Sequence, residues 1–341
     1  MLSAYLGVET FLKGVSNYLK KHAYSNAKTT DLWSALSEAS GKDVNAFANN
    51  WITKIGFPVL TVAEEPGQIS IKQSRFLSTG DVKSEDDETT WWVPLTLKTA
   101  ANSSEHATAV LSTKEDTIRN VDDSFYKINS NTTGFYRTNY PSPRLAKLGQ
   151  QKDQLSIEDR IGLIGDSSAL AVAGQGTSAA FLGLIEGFQT EDNYLVWSQI
   201  ITSLGNLRSV YDQDEQISAG LKKFALKLIT PAVERVGWDF TKSEDYLTVQ
   251  LRSLLINAAG GAGHETVIAE AKKQFKEYMS GNKKSIHPNL RTAVFRVAVR
   301  DGGKEAYEAV KKEYTSTTLV DVKESCLLAM GQVQSTELTD D

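Results

Sequence analysis

The sequence predicts a multidomain α+β protein, in which helices are followed by a small β-sandwich and then by an α-helical array. Its 341 residues are enough for two or three domains. The first and last parts carry apolar residues at helical spacing, whereas the middle part has short β-branched and aromatic runs separated by turns. The predicted domains are 1–57, 58–141 and 145–341.

The first segment is predicted to be helical from its apolar periodicity. Thr30 is predicted to cap one helix, and Gly41 lies just past its end. Asp43 is predicted to cap the next helix, which stops before Gly56 and Pro58. The apolar stripe of the helix before these two comprises Leu2, Leu6, Phe11, Leu12, Val15 and Leu19.

The middle segment contains five short runs with the composition of β-strands. An acidic run at 85–88 is interpreted as a solvated hairpin tip, with a metal site as the alternative. Because no helical pattern separates the runs, they predict a small β-sandwich. The predicted strands are 59–62, 68–71, 91–95, 109–111 and 125–128.

The last segment is predicted to hold at least eight helices joined by short loops. Ser156 with Asp159 resembles a capping box, Ser243 is a predicted cap, and Pro288 suits a first helical turn. The glycine run 260–263 is interpreted as a flexible connection between two helices. Short loops between helices are typical of a stack of helix pairs, which curves and presents a concave surface.

The composition of the chain argues against several classes of protein. A net charge of −5 argues against nucleic acid, because no excess of Lys and Arg exists to displace counterions. No run reaches membrane-spanning length and no signal peptide is recognised. The single cysteine, Cys326, excludes an intrachain disulfide and fits a cytoplasmic, reducing compartment. The triplets at 102–104 and 131–133 match the glycosylation signal, but they are interpreted as chance matches because no signal peptide is recognised. Met1 is interpreted as an internal methionine of a longer ancestor, because no cap residue comes before the first helix; the alternative is a natural start on a frayed helix.

Several local strings along the chain are informative when taken together. They are Asn50-Trp51 through Val59, Gln73-Ser74-Arg75-Phe76, Trp92-Val93-Pro94-Leu95, Gly134 through Tyr140, Asp159-Arg160 with Asp166, Trp197, Gly237-Trp238, Leu251-Arg252 and Pro288-Asn289-Leu290-Arg291. Together these strings resemble the M1 family of zinc aminopeptidases over nearly the whole chain, in the puromycin-sensitive and endoplasmic-reticulum branch with a fungal character. The resemblance implies three parts: the helical tail of a thermolysin-like catalytic domain, a β-sandwich, and a HEAT/armadillo-like helical domain. The first and last of these are incomplete in this chain.

The catalytic parts that the resemblance implies have no counterparts in this sequence. The family holds zinc with His-Glu-x-x-His and a downstream Glu, and grips the substrate amine with Gly-x-Met-x-Asn; neither motif occurs here. His264-Glu265 begins like the zinc motif, but Ile268 stands where the second histidine belongs, so it is interpreted as a helix start. We therefore predict no catalytic residue and no metal ligand, zinc belonging to the full-length family. The four histidines are His22, His106, His264 and His287.

Three arginines are the candidate peptide-binding residues: Arg252, Arg291 and Arg296. A guanidinium fork can bind both oxygens of a peptide carboxylate. The alternative is that these arginines join helices through ion pairs. The tryptophans Trp51, Trp91, Trp92, Trp197 and Trp238 and the cysteine Cys326 are predicted to be core residues.

The predicted function is that of a non-catalytic C-terminal part of a zinc-dependent aminopeptidase, inactive alone. This part would form a wall of the substrate chamber and bind the peptide body, with peptides and the missing catalytic domain as partners. The alternative is a stand-alone helical-repeat module that binds peptides or a protein. The sequence does not decide between them.

Overall fold

A computed structural model describes residues 1–100, 109–241 and 243–339. The triplet at 102–104 and His106 therefore lie outside the described residues. The chain divides into two compact units, Met1–Gly187 and Phe188–Asp341. No helix in the described ranges is long and apolar enough to cross a bilayer.

The first unit begins with four helices and ends with three. The predicted first helix is in fact two, because Gly7 adopts a φ of 86° that ends the first and precedes the second. The predicted cap at Thr30 is wrong, since the third helix already begins at Thr29. The helices are α1 (Leu2–Leu6), α2 (Val8–Lys21), α3 (Thr29–Ser40), α4 (Val44–Ile52), α5 (Ser142–Gln150), α6 (Ile157–Val172) and α7 (Ser178–Glu186).

Two predicted helix signals in this unit are confirmed. Gly41 ends α3 in the left-handed conformation, with a φ of 69°. The Asp43 carboxylate accepts the backbone N–H of Ala46 at 2.9 Å and so caps α4.

In the part of the chain that the structure describes, eight strands lie between α4 and α5, and each of the five predicted strands overlaps one of them. The order in the largest sheet is β6-β2-β1-β8, with β1 and β8 parallel and the other pairs antiparallel. β3 pairs with β5, and β4 pairs with β7. The strands are β1 (Pro58–Glu65), β2 (Gln68–Arg75), β3 (Val93–Leu95), β4 (Leu97–Thr99), β5 (Ala109–Leu111), β6 (Glu115–Arg119), β7 (Tyr126–Ile128) and β8 (Arg137–Asn139).

The acidic run is not a hairpin tip, which corrects the prediction. It forms a short 3-10 helix, Ser84–Asp87. The Asp87 carboxylate accepts the backbone N–H of Arg75 at 2.8 Å and lies 3.1 Å from Lys114 Nζ. These contacts fasten Asp87 to the end of β2, so the run does not form a hairpin tip. Glu85 and Glu88 are exposed, as the prediction of a solvated run requires.

The string that begins at Asn50 joins α4 to the segment before β3. Asn50 Oδ1 accepts the N–H of Trp92 at 2.7 Å, and Trp51 Nε1 donates to the Trp92 carbonyl at 2.9 Å. The Trp92 ring also meets the ring of Phe47 edge-on at 5.6 Å. These residues therefore hold helix and strands of the first unit together.

A buried ion pair lies where α6 meets the strands. Lys127 of β7 places Nζ 2.7 Å from Asp159 Oδ1, and both side chains are almost fully buried. Asp159 also completes the predicted capping box, because it accepts the N–H of Ser156 and donates its own N–H to the Ser156 hydroxyl. One carboxylate thus starts the helix and neutralises a buried ammonium group.

A second pair joins α6 to β8. Asp166 accepts a hydrogen bond from Arg137 Nη1 at 2.9 Å and from the backbone N–H of Thr138 at 3.0 Å. Burial raises the pKa of Asp166 to about 6, although these two donors act in the opposite direction. Asp166 therefore titrates near neutrality in the folded protein.

We expect Asp166 to make stability fall as the pH rises from about 4 to 6. Between these pH values the Asp166 carboxyl is still protonated in the folded state but ionised in the unfolded chain. Because the unfolded chain binds fewer protons, the free energy of unfolding decreases as the pH rises. The stability of the wild type relative to Asp166→Asn should fall by about 2 kcal/mol across this window. Urea unfolding of both proteins at several pH values measures it, and parallel curves would contradict the assignment.

The second unit is helical. α9 packs against α10, α11 against α12, and α12 against α13, while α10 also contacts both α8 and α12. Helices α8, α10 and α12 therefore lie side by side. The helices are α8 (Tyr194–Val210), α9 (Glu215–Val236), α10 (Tyr246–Ala262), α11 (Glu265–Met279), α12 (Arg291–Ser316), α13 (Val320–Met330) and α14 (Thr336–Thr339).

Two predictions for α10 are wrong. Its cap is Asp245 rather than Ser243, because the Asp245 carboxylate accepts the N–H of Leu247 at 2.8 Å. The glycine run is mostly helical rather than a flexible connection, since α10 continues to Ala262. A Cβ on Gly260 would lie 2.3 Å from a Val297 methyl group, so the absence of a side chain lets α10 and α12 approach closely.

The predicted core residues divide by burial. Trp91, Trp197 and Cys326 have no exposed surface. Trp51, Trp92 and Trp238 are half-buried. Burial raises the pKa of the Cys326 thiol to about 11, so it stays protonated at neutral pH and packs as a small apolar group.

Candidate ligand-binding site

Arg252 of α10 is held in a buried ion pair. Its Nη1 and Nη2 lie 2.7 and 2.6 Å from the two Glu244 carboxylate oxygens, and its Nε donates to the Val236 carbonyl at 3.0 Å. The guanidinium also lies 4.4 Å from the centre of the Phe240 ring. Arg252 therefore joins α10 to the α9–α10 connection, at the wall of a cavity of about 630 Å³.

Arg291 begins α12 and is also paired. Its Nη1 lies 2.6 Å from a carboxylate oxygen of Asp321 on α13. The Asp321 side chain is 67% exposed, so this is a pair near the surface that joins two neighbouring helices.

Arg296 differs from the other two predicted arginines. Within the described ranges its guanidinium has no carboxylate partner, and its buried Nε has no hydrogen-bond acceptor. Burial lowers the pKa of Arg296 from its ordinary value. A buried N–H without an acceptor is costly, so this group is suited to a ligand that supplies one.

Arg296 lines a cavity of about 200 Å³ between α8, α10 and α12. Most of the wall consists of side chains that can hydrogen-bond to the amide groups of a peptide. The lining residues are Tyr194, Gln250, Ser253, Leu254, Asn257, Thr292, Ala293 and Arg296.

A second cavity of about 200 Å³ shares Arg296 and Asn257 with the first. Arg208 of α8 and Arg300 of α12 join Arg296 in its wall. Sequence reasoning missed these two, because they stand on different helices far apart in the chain and belong to no motif. Its lining residues are Ile201, Leu204, Gly205, Arg208, Ala225, Ile229, Asn257, Ala258, Gly261, Ala262, Arg296, Arg300 and Gln332.

The histidines that the structure describes serve other contacts. His264 is the N-cap residue of α11, which confirms the predicted helix start, and its Nδ1 lies 3.1 Å from the Thr266 hydroxyl. The His287 ring stacks on Phe240 at 3.7 Å. In the part of the chain that the structure describes, no three His, Cys, Asp or Glu side chains are grouped so that they could hold a metal ion.

Two family profiles match the chain. The profile described as the ERAP1-like C-terminal domain covers residues 125–341, and that of the peptidase family M1 domain covers residues 1–51. The chain belongs to the ERAP1-like C-terminal domain family. The predicted resemblance to the C-terminal portion of M1 aminopeptidases is thereby confirmed.

Curated relatives align with the whole chain. It is 40% identical to the mitochondrial aminopeptidase 2 of Saccharomyces cerevisiae and 40% identical to the alanine/arginine aminopeptidase of the same yeast, with 100% of the chain covered in each case. It is 33% identical to the puromycin-sensitive aminopeptidase of Caenorhabditis elegans, with 99% covered. The chain spans 36%, 40% and 36% of the lengths of these three relatives, respectively.

Proposed function

We propose that this chain is the non-catalytic C-terminal part of a zinc-dependent aminopeptidase, and that it binds the body of the peptide substrate. The observation that carries the proposal is the unpaired guanidinium of Arg296 in a polar cavity of the second unit. The family membership supports the enzyme class, and the match of residues 1–51 to the peptidase domain supports a catalytic domain as partner.

The layered packing of the second unit supports a binding face. Helices α8, α10 and α12 are neighbours in space although two other helices separate them in the chain. This arrangement is expected of a HEAT/armadillo-like stack, in which alternate helices form one layer. We also propose that the chain has three domains: the helical residues 1–57, the strand-rich residues 58–141 and the helical residues 145–341. The strands of the second domain would pack as a small β-sandwich.

The chemistry of the first cavity suits an extended peptide. Gln250 and Asn257 each offer an amide donor and acceptor, and Ser253 and Thr292 offer hydroxyl groups. These groups can pair with peptide N–H and C=O groups without reading a particular side chain. Arg296 would take an acidic side chain or the C-terminal carboxylate.

Arg252 and Arg291 are proposed as weaker peptide contacts. Each would have to exchange its present carboxylate, that of Glu244 or Asp321, for one on the ligand. In the full enzyme the second unit would form one wall of the substrate chamber and support closure of that chamber. The proposed location of the enzyme is the cytoplasm. Closure matters because it excludes water and completes the geometry of a reaction site.

The proposal predicts a chain that binds peptides but does not cut them. The fluorescence anisotropy of a labelled nonapeptide should increase when the purified chain is added. After incubation of the peptide with the chain and zinc, mass spectrometry should detect only the intact peptide. Arg296→Gln should weaken binding by about tenfold, the effect of one lost charge-assisted contact.

Lys312→Gln is the matched control. It removes one positive charge from an exposed position on the same helix, outside both cavities, and should leave the affinity unchanged. Equal affinities for the Arg296→Gln variant and the wild type would contradict the proposed peptide site. Zinc-dependent removal of the first residue would contradict the non-catalytic role.

A further inference from the structure

The second cavity brings together three guanidinium groups from two helices. Arg208 comes from α8, and Arg296 and Arg300 stand four positions apart on one face of α12. Asn257 and Gln332 add amide donors to the same wall. Every charged residue in the wall is therefore positive.

Among the described residues, no acidic group balances these charges. The lining of the cavity includes neither Asp nor Glu, and none of its three arginines has an ion-pair partner within residues 1–100, 109–241 and 243–339. The pKa of Arg300 is lowered first by burial and then by the charges of Arg208 and Arg296. Arg208 and Arg296 are half-buried, and Arg300 is exposed at the mouth of the same cavity. Like charges that line one cavity repel one another, so a cluster of this kind without a counter-charge points to a ligand.

The backbone leaves room for these side chains. A Cβ on Gly261 would lie 2.5 Å from Arg300 Nη1, so the guanidinium rests directly against α10. Gly205 of α8 has nothing near its Cβ position and leaves the opposite wall open. The free volume of about 200 Å³ is enough for one phosphate group or a small dicarboxylate.

We propose that this cavity binds a compact oxyanion that carries at least two negative charges, as a phosphate group or a small dicarboxylate does. One monovalent carboxylate would leave most of the positive charge uncompensated, whereas a multivalent oxyanion can accept from several guanidinium forks at once. This inference does not rest on the proposed peptide function, although the two cavities share Arg296 and Asn257.

Calorimetric titration and thermal unfolding test the site. Inorganic phosphate and succinate, added at constant ionic strength, should bind and raise the melting temperature, because a ligand that binds only the folded state stabilises it. Acetate is the monovalent control and should have little effect. If phosphate and succinate both fail to bind at millimolar concentration, the proposal is overturned.

Arg208→Gln and Arg300→Gln locate the site. Each should weaken phosphate or succinate binding by about tenfold, and each should raise the melting temperature without anion because one repulsive charge is gone. If these arginines only stabilised the fold, their replacement would instead lower the melting temperature. Lys312→Gln should behave like the wild type, which also controls for the general stabilising effect of phosphate on proteins.

Gln250→Ala and Ser253→Ala separate this site from the peptide cavity, because both residues line only the first cavity. They should leave phosphate binding unchanged even if they weaken peptide binding. Equal anion responses in the wild type and in Arg208→Gln and Arg300→Gln would show that the anion acts elsewhere. That result would overturn the inference while leaving the peptide proposal standing.

Discussion

Asp159→Ala is expected to lower the free energy of unfolding by about 3–5 kcal/mol, the cost of breaking a buried ion pair by removing one partner. Asp159 has no exposed surface and Lys127 is 3% exposed, so water cannot replace the lost carboxylate. The variant also loses the hydrogen bond that the Asp159 carboxylate accepts from the backbone N–H of Ser156. Chemical denaturation at pH 7 measures the loss.

Two further variants test whether the buried ion pair causes the expected loss of stability in Asp159→Ala. Asp153→Ala removes a carboxylate that also lies 2.7 Å from a lysine, Lys152, but that is 86% exposed, so it should cost no more than about 1 kcal/mol. Replacing Lys127 with Met in the Asp159→Ala background should restore part of the stability, since the most deeply buried ammonium group is then gone. The recovery stays partial because Lys98, which lies 3.6 Å from Asp159 and is 16% exposed, also loses its carboxylate partner.

The pH dependence of Asp159→Ala offers a further check on the same prediction. Burial lowers the pKa of Lys127, and Asp159 counteracts that effect. Without Asp159 the folded state should hold the Lys127 proton more weakly, so the stability of the variant should rise toward that of the wild type between pH 7 and 10. A deficit that stays constant over this range would contradict the buried ammonium as its cause.

Gln73→Leu is expected to lower the free energy of unfolding by about 2–4 kcal/mol, because it leaves buried backbone groups without partners. The fully buried Gln73 side chain accepts the N–H of Trp91 at 2.8 Å and donates to the Trp91 carbonyl at 2.9 Å and the Thr113 carbonyl at 2.7 Å. One amide thus satisfies both main-chain groups of Trp91, where no strand supplies them.

Lys72→Met is the matched control for Gln73→Leu. It changes the adjacent residue of β2, whose side chain is exposed, and should alter stability by no more than about 0.5 kcal/mol. A Gln73→Leu variant as stable as this control would show that the backbone groups of Trp91 find other partners.

Local signals explain which parts of the fold the sequence could predict. The capping box of Ser156 and Asp159, the cap at Asp43 and the left-handed Gly41 each depend on residues within one helical turn. The five predicted strands were recognised from composition, but β4, β6 and β8 were missed. Such short strands depend on their pairing partners, and those lie elsewhere in the chain.

The candidate site could be predicted only in part. The sequence selected Arg252, Arg291 and Arg296 by residue type, but a guanidinium that is paired with a carboxylate and one that is free look alike in a sequence. The structure distinguishes them: Arg252 is paired with Glu244 and Arg291 with Asp321, whereas Arg296 has no carboxylate partner among the residues that the structure describes.

The sequence by itself determined the family, the order of helical and strand-rich segments, and the helix starts at Asp43, Ser156 and His264, since these rest on local spacing and on motif strings. Only the tertiary structure decided that α10 continues through its glycines and that Arg208 and Arg300 share a cavity with Arg296. Both depend on the close approach of helices that are distant in the chain. Such contacts are set by the packing of whole helix faces, which no short stretch of sequence encodes.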